Sequence, residues 1–128
     1  LSMQYLLDTV TIVRHFSAGG KIGKKAREIL ADSRNQFIIS VVSLMEIMYL
    51  SEKNRINISL METLNKIESS SLYSTVDLTP EILKMAENTA FGELHDRLIL
   101  STTKWLDIPI ISSDEDFKEI EGIQLIWK

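Results

Sequence analysis

The sequence predicts a single three-layer α/β/α domain built on a central parallel sheet of four to five strands. Three observations carry this. Short apolar runs rich in aromatic and β-branched residues recur along the chain, amphipathic segments with apolar residues at i, i+3, i+4 and i+7 stand between them, and 128 residues amount to one domain's worth of chain. Alternation of strand and helix implies parallel strands, because each return to the same end of a sheet needs a crossover, and the crossover helices then cover both faces.

The elements follow in order. Residues 4–8 form the first strand, an apolar run closed by an acid. A helical stretch over 11–16 leads to a flexible glycine-rich loop at 18–23 and an amphipathic helix over 24–31. Residues 36–39 read as the second strand, 43–52 and 59–68 as helices, and 72–76 as the third strand. Thr79-Pro80-Glu81 opens a further helix with a capping hydroxyl, a proline at the first helical position and an acid in the first turn. The most apolar helix spans 96–106, the fourth strand 108–111, a short acidic helical turn starts at Asp114, and 123–127 is the last strand.

With 45% hydrophobic and 25% charged residues, the chain has enough apolar surface to offset the ordering entropy of one core, which excludes disordered and collagen-like architectures. The absence of cysteine excludes disulfides, thiolate metal sites and cysteine nucleophiles together, so a bound metal must use oxygen or imidazole ligands. Charge interrupts every apolar run before the roughly 18 residues of a membrane span, and no charged-then-apolar leader opens the chain. A cytoplasmic domain over residues 3–128 is expected, with Leu1 and Ser2, which precede Met3, a cloning remnant.

The formal charge of −4 argues against nucleic-acid binding by bulk charge, but it is unevenly placed. Arg14, Lys21, Lys24, Lys25, Arg27 and Arg34 stand against Glu28 and Asp32, six basic against two acidic residues and a local balance of +4. Such a segment reads equally as a solvated helix face or as a basic rim for a phosphate backbone.

In an open α/β sheet the ligand site lies outside the carboxyl ends of the strands. Asp8 stands after the first strand, Glu46 one helical turn after the second, and Ser112, Ser113 and Asp114 after the fourth, while Asp96 starts the helix that precedes the fourth. Four carboxylates can therefore converge. Left unneutralised they repel one another, and burial raises their pKa values; a hard divalent cation such as Mg²⁺ or Mn²⁺ removes that conflict. The chemistry that follows from such a site is phosphodiester hydrolysis. Each acid also has a plainer explanation: Asp8 and Asp96 as helix caps, Ser43 and Glu46 as the two ends of a capping box, Asp114 and Asp116 as partners of the short turn.

Tyr5-Leu6-Leu7-Asp8-Thr9, Ser43-Leu44-Met45-Glu46, the run from Leu94-His95-Asp96-Arg97 through Thr103, and Ile110-Ile111-Ser112-Ser113-Asp114 with Phe117 resemble the successive motifs of PIN-domain ribonucleases, especially VapC-like toxins of prokaryotic toxin–antitoxin pairs. The likeness runs nearly end to end, and its most specific part is the His-Asp-Arg helix followed by strand, hydroxyl and acid. It implies an endoribonuclease dependent on Mg²⁺ or Mn²⁺, in which Asp8, Glu46, Asp96 and Asp114 form the acidic quartet. Asp8, Asp96 and Asp114 would hold the metal. Thr9 and Ser112 would stand behind the acids, Ser112 in place of a usual threonine, and Asp116, where the family requires no acid, would stand behind them too or at the surface. Ser101-Thr102-Thr103 departs from the small alanines common there. The resemblance also implies an RNA substrate, a cognate antitoxin protein and a homodimer, and Arg14, Lys21, Lys24 and Lys25 are the candidate RNA contacts.

Other motifs are set aside. Residues 18–25 nearly spell a phosphate-binding P-loop, but Lys25 replaces the magnesium-binding hydroxyl and the loop follows a helix where a buried strand is required. His15 and His95 have no partners at triad spacing. The methionines of 43–61 fit a core or a docking groove, and Trp105 and Trp127 read as core or interface anchors. Two functions fit the sequence: the metal-dependent ribonuclease, and a non-catalytic interaction module in which the acids merely cap helices.

Overall fold

Side chains alternate across each strand, and here both faces of the sheet are buried. On β1 (Gln4–Leu7), Tyr5 and Leu7 enter one core and Leu6 the other; on β2 (Gln36–Ser40), Phe37 and Ile39 part from Ile38 in the same way. β3 (Tyr73–Val76), β4 (Ile110–Ile111) and β5 (Leu125–Ile126) complete five parallel strands in the order β3-β2-β1-β4-β5. This computed structural model describes residues 3–128, so the cloning-remnant reading of Leu1 and Ser2 lies outside the described residues.

The first core joins the sheet to α1 (Thr9–Ser17), α2 (Lys24–Ala31), α3 (Val41–Glu52) and α4 (Leu60–Glu68) through Ile12, Phe16, Ala26, Leu30, Ile47 and Ile67. The second joins it to α5 (Pro80–Glu87), α6 (Leu94–Leu106) and a 3-10 helix (Glu115–Glu119) through Ala86, Leu98, Ile99, Leu100 and Phe117. The three-layer arrangement is the one the strand–helix alternation predicts. No described helix is long and apolar enough to cross a membrane.

Several boundaries differ from the sequence pattern for physical reasons. β2 runs on to Ser40 because Ser40 pairs with Val76, and α3 then starts at Val41 with the Ser40 hydroxyl accepting the Val42 N–H at 3.0 Å. The fourth strand shortens to two residues; Pro109, ahead of it, has no N–H to donate and only lends its carbonyl to the Leu6 N–H at 2.9 Å. A capping box does form, at Ser59 and Glu62: the Glu62 N–H donates to the Ser59 hydroxyl at 3.0 Å and the Ser59 N–H to Glu62 at 3.1 Å. Ser59→Ala should destabilise the protein by about 1 kcal/mol, lowering its thermal midpoint by roughly 4 °C in a calorimetric scan. An unchanged midpoint would mean that α4 takes its stability from packing alone.

Candidate active site

The strand order leaves β1 in two directions, through β2 to β3 and through β4 to β5, so it reverses between β1 and β4. The connections diverge there and open a crevice at the carboxyl ends of the strands. Asp8 follows β1 directly, and the register of Leu7 with Ile111 sets it beside Ser112, the first residue after β4.

Asp8 is buried. One carboxylate oxygen accepts the Thr11 N–H at 2.9 Å and caps α1; the other accepts the Ser112 hydroxyl. The Ser112 oxygen in turn accepts the Asp114 N–H at 3.1 Å. One hydroxyl thus ties the first acid to the loop bearing the last, and capping accounts for only half of Asp8.

Glu46 sits on the second turn of α3. Because the helix starts at Val41, Ser43 lies inside it and forms no capping box with Glu46. Glu46 Oε1 instead accepts the Thr9 hydroxyl at 2.6 Å, and the same Thr9 oxygen lies 2.9 Å from Ser43 Oγ. Asp96 is not a cap either. Glu93 caps α6 by accepting the Asp96 N–H at 2.7 Å, which leaves the Asp96 carboxylate uncommitted in the first turn. Asp114 caps the 3-10 helix through the Asp116 N–H at 3.0 Å, and Asp116 itself is exposed.

The electrostatics show that these acids share one space. Burial raises the Asp8 carboxyl above its usual range against the opposing hydrogen bonds from Ser112 and Thr11, with Asp114 adding repulsion. Burial likewise raises Glu46, partly offset by Thr9 and His95. Asp96 is pushed up to about 6, first by burial and then by Glu93, Glu46, Asp114 and Asp8. Among the described residues no lysine or arginine forms an ion pair with any of the four.

Two further residues border the acids: His95, which has no triad partner, and Glu93, which no motif singles out. His95 Nδ1 lies 3.1 Å from Glu93 Oε1 and 3.9 Å from Glu46 Oε2, so this histidine borders the cluster between two carboxylates. The only signal for Glu93 is its place three residues before Asp96, a capping spacing occupied by an uncommon capping residue. The basic candidates form no ion pair with the four acids among the described residues. Arg14 donates to the Lys21 carbonyl at 2.9 Å and braces the loop after α1, Lys21 is exposed, and Lys24 and Lys25 line two separate hollows.

Among the described residues no three His, Asp or Glu side chains close into a ready-made ligand set. The donor chemistry nevertheless suits a hard cation. The quartet offers carboxylate oxygens, no ammonium or guanidinium group among the described residues pairs with it, and Asp8, Glu46 and Asp96 hold protons more tightly than usual, as they do when a counter-charge is wanting.

A family model described as PIN domain matches residues 5–123. A search of curated proteins finds no match. Solved structures share the fold over nearly the whole chain. VapBC2 from Rickettsia felis, bound to a DNA fragment from its promoter, superposes with a TM-score of 0.72 at 19% identity, covering 98% of this chain and 100% of that one. DNA-bound VapBC from Salmonella typhimurium gives 0.68 at 19% identity and 97% coverage of each chain. VapC20 from Mycobacterium tuberculosis, a sarcin-ricin loop cleaving toxin, gives 0.68 at 15% identity, covering 94% of this chain and 98% of that one.

Proposed function

The chain belongs to the PIN-domain family, and we propose that within it the protein is a metal-dependent endoribonuclease, the toxin of a toxin–antitoxin pair. The observation that carries this reading is the shared field of Asp8, Glu46, Asp96 and Asp114 at the point where the strand order reverses. Helix capping alone gives no reason for four segments to bring their acids to one crevice.

A Mg²⁺ or Mn²⁺ ion held by Asp8, Asp96 and Asp114, with Glu46 completing the site, would offset part of the cluster's charge and supply Lewis acidity for attack of water on an RNA phosphodiester. The chain's own groups set up that chemistry. Ser112 fixes the orientation of Asp8 through its hydroxyl, and Thr9 fixes Glu46 by occupying Oε1. Glu46 Oε2 is left to orient the attacking water.

The same reading includes a protein partner. Met45, Met48, Tyr49 and Leu50 line a groove of about 410 Å³ that reaches Glu46 and His95, and Met45, Met48 and Tyr49 are exposed. An antitoxin arm with apolar side chains for this groove and a basic one for the acids would cover the site and supply the missing positive charge. The homodimer belongs to the same proposal and is checked by sedimentation.

The purified protein should cut single-stranded RNA when Mn²⁺ is added and stop when it is chelated. At a hundredfold excess over its dissociation constant Mn²⁺ should stabilise the fold by about 2.7 kcal/mol. Partner binding with neither cleavage nor Mn²⁺-dependent stabilisation would instead mark the protein as a non-catalytic interaction module.

A further inference from the structure

A hollow of about 190 Å³ lies on the β5 side of the acidic crevice, lined by Lys25, Glu115, Lys118, Leu125, Trp127 and Lys128. Four chain segments build it: the first turn of α2, the 3-10 helix, β5, and the two residues that follow β5. Its place is set by the sheet. Ile111 pairs with Ile126, so Trp127 stands opposite Ser112, about 4.8 Å sideways across one strand spacing, and Glu115 directly follows Asp114.

Three lysines and one glutamate make the hollow positive in a chain of formal charge −4, immediately beside its most acidic feature. Glu115 holds two of the lysines, Lys118 Nζ at 2.7 Å and Lys128 Nζ at 3.6 Å. One carboxylate cannot saturate six ammonium N–H donors, and Lys25 has no ion pair among the described residues. The lining combines cations with an indole and an aliphatic side chain, and these match the two parts of a single-stranded nucleotide, its phosphate and its base. A small inorganic anion would use the lysines alone.

We propose that this hollow is a subsite for the single-stranded RNA flank that runs from the acidic crevice across β4 to β5, with Lys25 and Lys118 on phosphates, a base against Trp127, and Glu115 holding the place of a phosphate until RNA arrives. The proposal rests on the ribonuclease reading only for the word flank; the hollow's affinity for RNA is tested without cleavage.

The test is the anisotropy of a fluorescein-labelled single-stranded RNA oligonucleotide titrated with the protein in chelator at several salt concentrations, alongside steady-state cleavage with Mn²⁺. Lys25→Gln/Lys118→Gln should weaken binding about tenfold at moderate salt and reduce the salt slope by about 1.4, the value for two single-strand phosphate contacts. In cleavage it should raise KM more than it lowers kcat. Glu115→Gln should tighten binding, an effect that a merely structural role for Glu115 would not give. If the parent cuts RNA and the double variant binds with the parent's affinity and slope, the subsite is overturned and the ribonuclease reading stands. If the parent binds RNA through these lysines without cutting it, the subsite stands and the ribonuclease reading falls. A parent that does not bind RNA overturns the subsite, as does a Glu115→Gln variant that binds more weakly.

Discussion

Asp96→Asn should reduce RNA cleavage by about a hundredfold or more and, in the same molecule, make the metal-free protein more stable. The loss follows from removing one anionic oxygen donor from a site that works by placing charge, where a few kcal/mol of transition-state stabilisation amounts to factors of this size. The gain follows from the environment of Asp96. Its carboxyl is pushed up to about 6 by burial, and then by Glu93, Glu46, Asp114 and Asp8, against roughly 3.9 in an unfolded chain. Between those two values the folded state binds more protons than the unfolded state. Stability therefore falls as pH rises through the window from about 4 to about 6, and above it the ionised group destabilises the fold by a constant amount. Asparagine removes that charge at nearly constant volume. Solvent screening at this half-exposed position limits the benefit to about 1 kcal/mol at pH 7, or roughly 4 °C.

Mn²⁺ should invert the order of thermal midpoints, raising the parent above Asp96→Asn. A variant that cuts like the parent, or that gains as much from Mn²⁺, would remove Asp96 from the site. Asp8 supplies the matching control. Asparagine caps helices as well as aspartate does, so Asp8→Asn keeps the bond from the Thr11 N–H and should lose cleavage alone, whereas Asp8→Ala loses cap and cleavage together.

Which parts of this site can be read from sequence depends on how local their causes are. Asp8 follows an apolar strand directly and Asp114 stands three residues after another, and the rule that ligands gather at carboxyl strand ends points to both. Glu46 is ambiguous in sequence because Ser43 and Glu46 have capping-box spacing; only the pairing of Ser40 with Val76, 36 residues away, moves the helix start and dissolves the box. The Thr9–Glu46 hydrogen bond spans 37 residues and has no local signature. The capping pattern likewise puts Asp96 at a helix start, whereas Glu93, an uncommon capping residue, takes that position. Lys118 and Lys128 look like ordinary surface lysines until the 3-10 helix and β5 bring them to Glu115. The fold class is different, since it rests on periodicity repeated along the whole chain, and small boundary shifts leave it intact.

Gly23→Ala should be among the most damaging single-methyl changes in the protein. Gly23 is the last of the three glycines in the P-loop look-alike, but its neighbours explain it without a nucleotide. A Cβ added there would stand 1.9 Å from the Trp127 carbonyl oxygen and 2.6 Å from its carbon. Those are backbone atoms following β5, so no rotamer change relieves the contact. The backbone at Gly23, with φ −57° and ψ 152°, suits alanine as well as glycine, and the penalty is therefore steric rather than conformational. Relief requires α2 to lift away from β5. That movement would strain the bond from the Ala26 N–H to the Trp127 carbonyl, 3.2 Å long, and loosen Ala26 and Leu30 from the first core. Overpacking against fixed neighbours costs about 1–3 kcal/mol, which for a chain of this length lowers the midpoint by roughly 4–12 °C. Gly92 is the control: nothing lies within 4 Å of a Cβ there and its φ is not positive, so Gly92→Ala should be neutral or stabilising by up to about 1 kcal/mol. Urea unfolding of both variants checks the pair. A Gly23→Ala protein with the parent's midpoint would show that α2 and the segment after β5 do not meet as closely as described, and with them the wall of the lysine hollow that Lys25 and Trp127 share.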